Sequence, residues 1–143
     1  MSDQNKATVR EFIEAVFNQH DVDAADKFLA PDVVDHNPWP GFPATVQGFK
    51  DGTRAFLTGF PDARIEIDEM LADGDRVIIR NRLVGTNSGP FMGMPATGKH
   101  VDVEGIDIVR IVDGRQTEHW GLFDAAAMLQ QMGVMPAPEG APA

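Results

Sequence analysis

Residues 97–124 read TGKHVDVEGIDIVRIVDGRQTEHWGLFD, two runs rich in β-branched side chains on either side of Asp113-Gly114. Val101, Val103, Ile106, Ile108, Val109, Ile111 and Val112 favour extended backbone, and Asp-Gly between such runs is among the strongest short-range signals for a β-hairpin. Register then decides which side chains share a face. A two-residue loop at Asp113-Gly114 sets Asp107 opposite Trp120 and His119 opposite Ile108, mixing polar and apolar residues on both faces. A three-residue loop, 112–114, with Gly114 in the positive-φ place of a bulge, sets Asp107 opposite His119 and Gly105 opposite Gly121. In that register Ile106, Ile108, Trp120 and Leu122 fall on one face, with Asp107, Val109, Thr117, His119 and Phe123 on the other. A slip of one residue turns every side chain over, so the cleaner sorting favours the three-residue loop.

Outward from the hairpin, the pattern changes from period 3.6 to period two. Val9, Phe12, Ile13, Val16 and Phe17 repeat at helical spacing, with Ser2 or Asp3 available as a cap. Val22, Ala25, Phe28 and Leu29 predict a short second helix that Pro31 stops, followed by an extended piece over 32–37. Residues 37–43, NPWPGFP, form a rigid loop, and Val46, Phe49, Phe56 and Leu57 predict a third helix despite Gly48 and Gly52. Strands are then expected over 63–71 and 76–86, separated by the Asp73-Gly74-Asp75 turn. A Gly- and Pro-rich loop, 87–99, follows and presents Phe91, Met92 and Met94. After the hairpin, 125–132 predicts a final helix closed by Gly133. Helices first and four antiparallel strands after them describe one α+β domain over 1–135, with 136–143 a disordered Pro/Ala tail.

Composition narrows the function classes. The chain has 143 residues, enough for one core, and no cysteine, which excludes disulfides and thiolate chemistry. A formal charge of −10 opposes binding to nucleic acid or anionic membranes. No run approaches the roughly 18 apolar residues of a membrane span, and the N-terminus lacks the apolar core of a signal peptide. A soluble, cytoplasmic protein is the expectation. His20, His36, His100 and His119 show no paired metal-ligand spacing, and GxSxG, P-loop and GxGxxG patterns are absent.

Asp107 and His119 are the leading candidates for chemistry. On one face, a carboxylate and an imidazole hold each other in a defined tautomer and exchange a proton with a ligand near neutral pH. Asp124 ends the last strand, where it either stands at a pocket mouth or caps the following helix. Arg80 and Arg82 share a face and are expected to pair with Glu66 or Asp68. Trp39, between prolines, is costly to leave in water and packs over the core or over a ligand, and His36 beside it is placed to reach a pocket.

The strings GTNSGPFMGMPATGKHV, GIDIVRIVDGR and EHWGLFD, together with the order of elements, resemble the SnoaL-like polyketide cyclases, small proteins of the nuclear transport factor and ketosteroid isomerase type of fold. The similarity runs from the first helix through Gly133. It implies a cone-shaped, curved antiparallel sheet closed by N-terminal helices around an apolar pocket, no metal, no organic cofactor, and a homo-oligomer, dimer or tetramer. The founding activity is an intramolecular aldol cyclisation, for which one positioned base and a pocket that folds the substrate are enough. Ring-closing members carry a catalytic Asp at the place of Gly121 and a His at the place of Asp107. Here the carboxylate stands at 107 and the imidazole at 119, a swapped arrangement. Asn87 stands where relatives often have His.

The resemblance therefore implies a polyketide-cyclase-like protein performing cofactor-independent acid-base chemistry on a small, apolar, carbonyl-bearing substrate. The catalytic expectation is Asp107, His119 and Asp124; the substrate-binding expectation is His36, Trp39, Phe91, Met94 and Phe123. A non-catalytic binding module, or an isomerase or epoxide hydrolase on the same fold, are the alternatives.

Overall fold

Two apolar clusters with a polar row between them organise the molecule, and a computed structural model describes it over residues 2–136. The expected disordered tail lies, beyond Pro136, outside the described residues. Helix α1 (Ser2–Ile13) buries Val9, Phe12 and Ile13 and runs into a wider π-helical turn, Glu14–Asn18. Asn18 ends that turn by bracketing the backbone of Ile65: its amide donates to the Ile65 carbonyl at 3.3 Å, and its side-chain oxygen accepts from the Ile65 N–H at 2.8 Å. This satisfies backbone groups that an edge strand otherwise leaves open.

The second predicted helix is shorter than its spacing suggests. A 3₁₀ turn, Val22–Ala24, leads into α2 (Ala25–Phe28), and strand β1 (Leu29–Asp35) begins at once, running through Pro31. Proline is tolerated there because β1 is an edge strand and its register against its neighbour is interrupted between Leu29 and Val34. Helix α3 (Val46–Gly59) starts at Thr45, whose side chain accepts from the Gly48 N–H. Its glycines are packing features: a Cβ at Gly52 would lie 2.6 Å from Trp39. The loop and its tryptophan thus lie directly on the helix.

Strands β2 (Arg64–Asp73), β3 (Arg76–Thr86), β4 (His100–Val112) and β5 (Arg115–Phe123) complete a curved, open sheet in the order β1-β5-β4-β3-β2. All neighbours are antiparallel except β1, which adds a fifth, parallel strand beside β5. The short α4 (Ala125–Gln131) follows, and Gly133 takes positive φ after it as expected. Where β5 ends, the Gln131 side chain takes over as a strand surrogate, accepting from the Asp102 N–H and donating to the Asp102 carbonyl.

The hairpin corrects the expected register. Val112 pairs with Arg115, so the loop is the two-residue Asp113-Gly114, both at positive φ as a type I′ turn requires. The extra residue is instead a bulge at Thr117: Ile111 faces Gln116, while Arg110 faces Glu118. Beyond it Asp107 faces Gly121 and Val109 faces His119. The expected partner of Asp107 was His119, two positions away. Because the displacement is even, the faces stay as sorted.

The helices cover the face that carries Val77, Ile79, Leu83, Val101, Val103, Val109 and Ile111. One cluster joins α1 to Val77, Ile79, Val109 and Ile111; the other joins Phe56 and Phe60 to Leu83, Val101, Val103, Met128 and Met132. Between them, the same face carries Asn81, Gly105, Asp107 and Gly121. On the opposite face Arg80 and Arg82 meet Asp68, and Arg82 also meets Glu66, the pairing read from sequence. That face leaves Ile106 54% and Leu122 75% exposed. Among the described residues, no helix is long and apolar enough to cross a membrane.

Candidate active site

Four strands each contribute one polar side chain to the inner face, and the four form a continuous hydrogen-bonded row. Asp35 is the last residue of β1, His119 its pairing partner on β5, Asp107 lies on β4 and Asn81 on β3. His119 Nδ1 is 2.8 Å from Asp35 Oδ1, and His119 Nε2 is 2.8 Å from Asp107 Oδ1. Asn81 donates its amide to Asp107 Oδ2 at 2.9 Å. The Asn37 backbone N–H adds a 3.0 Å bond to Asp35 Oδ1, and the Asn37 side-chain oxygen accepts from the Gly121 N–H at 2.9 Å. The rigid loop that begins at Asn37 is thus tied to both ends of the imidazole's surroundings.

The row fixes the protonation state of the imidazole. Carboxylate oxygens accept, so two of them on two ring nitrogens require two N–H donors, which only imidazolium supplies. Burial alone would discharge the ring, but the hydrogen bonds and charges of Asp107 and Asp35 outweigh it and raise the His119 pKa from 6.5 to about 9. Burial likewise works to raise the Asp35 carboxyl, yet the His119 bond and charge and the Asn37 N–H hold it below the ordinary carboxylate range. At neutral pH the row therefore carries one imidazolium between two carboxylates, a net charge of about −1.

Accessibility increases from Asp35 through His119 to Asp107 and falls again at buried Asn81. The side chains of Asp35, His119 and Asp107 are 13%, 23% and 34% exposed. Asp107 is thus the most accessible of the three, while Asp35 holds the ring from its more buried side. The row opens to solvent; it is not sealed inside a closed cavity.

The expected apolar residues divide cleanly. Trp39 stacks on Phe56 at 5.2 Å and donates Nε1–H to Thr53 Oγ1. Phe91 meets Phe56 and Phe60 edge-on at 5.7 and 5.3 Å, and Met94 packs in the same cluster. Phe123 faces Gly105, one step along the inner face from Asp107, and stays 39% exposed. Trp39, Phe91 and Met94 thus belong to the cluster packed around Phe56, and of the four it is Phe123 that strand pairing places next to the row.

His36 and Asp124 stand elsewhere. His36, expected at the pocket, lies on the opposite face: its ring stacks on Trp120 at 4.9 Å, and Nε2 is 2.7 Å from Glu118 Oε2. Strand alternation explains this, since Asp35 already occupies the inner side. Asp124, expected among the catalytic residues, accepts from the Ala127 N–H at 3.0 Å and so caps α4. Asn87, in the loop before β4, is fully buried and orders the loop through Gly59, Gly89 and Thr97.

Sequence reasoning missed Asp35 and Asn81, and it grouped Asn37 with His36 and Trp39 on the loop without foreseeing its bonds to Asp35 and Gly121. Asn81 had a usable signal, because it interrupts the apolar alternation Val77, Ile79, Leu83 on the buried face. Asp35 had none, because its partner lies 84 residues away.

Comparison with known proteins identifies the family and the fold. The sequence profile described as SnoaL-like polyketide cyclase matches residues 7–132. The aklanonic acid methyl ester cyclase DnrD of Streptomyces peucetius is 33% identical over 141 residues, 92% of this chain and 93% of that protein. The nogalonic acid methyl ester cyclase of Streptomyces nogalater is 30% identical over 83% of this chain and 90% of its own. Among solved structures, IdmH of Streptomyces antibioticus, described as a candidate polyketide cyclase, superposes with a TM-score of 0.80 at 33% identity, covering 92% of this chain and 99% of that one. AclR of Streptomyces galilaeus, described as a candidate hydroxylase, superposes with a TM-score of 0.86 at 28% identity, covering 97% and 87%. The chain belongs to the SnoaL-like polyketide cyclase family and has a polyketide-cyclase-like function.

Proposed function

We propose that this chain closes a ring in a small, mostly apolar, carbonyl-bearing polyketide by a cofactor-independent aldol step. Asp107 is the base, and His119, held by Asp35, keeps it in place. The observation that carries the reading is the row itself: its most accessible member is a carboxylate whose two oxygens are each oriented by a donor. In this reading Trp39, Phe91, Met94 and Phe123 line the substrate.

The step balances without any co-reactant. Asp107 takes a proton from a carbon flanked by carbonyls, whose acidity leaves little for the protein to supply. The resulting enolate carbon attacks a second carbonyl of the same molecule, forming one C–C bond. The new alkoxide takes the proton back from the Asp107 carboxyl, so substrate and product are isomers. Throughout, the His119 charge beside Asp107 offsets part of the developing negative charge.

Substrate charge follows from the same row. Two carboxylates against one imidazolium disfavour a substrate with a free acid group, and Arg76, Arg80, Arg82 and Arg110 stand on the opposite face. A neutral ester suits the site better, in keeping with the methyl esters named for the two cyclases. The test is incubation with such a polyketide methyl ester: a product of unchanged mass with a new ring supports the reading. Unchanged ligand that nevertheless binds would make the chain a binding module, and gain of an oxygen atom would favour a hydroxylase, as described for AclR.

The assembly proposed is a homo-oligomer. Ile106, Ile108, Trp120 and Leu122 form an apolar stripe on the face away from the helices, and a second copy is the cover that suits it.

A further inference from the structure

Residue 121 stands directly opposite Asp107 on the inner face, and it has no side chain. The bond between Asp107 and His119 is therefore a diagonal contact: His119, two residues before Gly121, leans across the vacant position to reach a carboxylate on the next strand. A Cβ at 121 would lie 2.1 Å from Asp107 Oδ1, 2.8 Å from His119 Nε2 and 3.1 Å from Asp107 Cγ. Neither partner can stay in its present place beside a side chain at 121, and each is tethered on its other side. Asp107 Oδ2 is bound to Asn81 and His119 Nδ1 to Asp35, while the backbone N–H of Gly121 is bound to Asn37. Backbone conformation does not demand glycine here, since Gly121 is absent from the residues at positive φ. What demands it is the space that the two side chains share.

We propose that Gly121 is a positioning residue, the slot through which His119 reaches Asp107, so that a carboxylate at 107 and a side chain at 121 exclude each other. The proposal rests on the reading of Asp107 as base, because its functional weight is the placement of that carboxylate. In a Gly121→Ala protein the methyl group drives the carboxylate off the ring, and the imidazole keeps Asp35 alone. Asp35 from β1 and Asp107 from β4 are the two charged groups bonded to the ring; His36 acts on it only indirectly, through Asp35.

The test is an NMR titration of the His119 ring in wild type, Gly121→Ala, Asp107→Ala and the double variant, with His119→Gln identifying the resonance among the four histidines. In Gly121→Ala the midpoint is expected to fall from about 9 by about one pH unit or more. Asp107→Ala should lower it comparably, and adding Gly121→Ala to it should change nothing further. Turnover by Gly121→Ala should drop by about 100-fold, mostly in kcat. A wild-type midpoint in Gly121→Ala, or a further fall in the double variant, overturns the proposal. If Gly121→Ala fails to fold while the double variant folds, mutual exclusion is supported; if both fail, it is overturned. The titration uses no substrate, so absence of turnover in every protein would sink the cyclase reading and leave the Gly121 result standing.

Discussion

Replacing Asp35 by Asn keeps an oxygen beside His119 Nδ1 and removes one of the two charges that hold the ring protonated. The displacement of His119 from 6.5 to about 9 corresponds to at most roughly 3–4 kcal/mol of preference for imidazolium in the folded chain. Because the folded pKa lies above the unfolded one, this stabilisation is complete below about pH 6.5 and is lost as pH rises through about 9. Asp35 has the opposite sign. Its carboxyl is lowered from 3.8, so its contribution is present above that pH and is lost as pH falls through the folded value. The row is therefore fully stabilising between about pH 4 and pH 6.5. With one carboxylate left, the His119 midpoint should drop by one to two pH units, a loss of roughly 1.5–3 kcal/mol near pH 6. As pH rises past about 9, where the wild-type ring becomes mostly neutral, the two proteins should differ much less. Urea unfolding at pH 6 and pH 9.5, with an NMR titration of His119, measures both quantities. A loss equal at the two pH values, or an unmoved midpoint, would refute the assignment of Asp35 as a charge partner.

Asp107→Asn removes the proposed base and should reduce turnover of a polyketide methyl ester by a factor of about 100 or more; activity within a few-fold of wild type would sink that role. Asp124→Ala removes the cap of α4 and should cost about 1 kcal/mol in thermal or chemical unfolding, whereas a drop in kcat out of proportion to that cost would return Asp124 to the catalytic set. Leu122→Asp charges the most exposed part of the apolar stripe and should release monomers, which size-exclusion chromatography of the two proteins detects; a wild-type monomer would count against the oligomer.

The hairpin marks how far side-chain patterning reaches. Alternation assigned Asp107, His119 and Phe123 to one face and Trp120 and Leu122 to the other, and the structure keeps that assignment. Pattern is blind, however, to where an extra residue sits. In the turn or at Thr117 it produces the same two faces, and only backbone pairing distinguishes facing His119 from facing Gly121. Pro31 misled for a related reason: proline does stop a helix, but on an edge strand its missing N–H costs nothing, and edges are a property of the assembled sheet.

The sequence by itself determined the main succession of helices and strands, the family, and the shared face of Asp107 and His119. Each is carried by local spacing or by residues close together in the chain. Tertiary structure alone decided that β1 lies parallel to β5, which brings Asp35 to His119 across 84 residues, and that Asn81 holds the far oxygen of Asp107. It also decided that the absent side chain of Gly121 is what lets the pair meet. These depend on distances between strands, which no periodicity within one strand encodes.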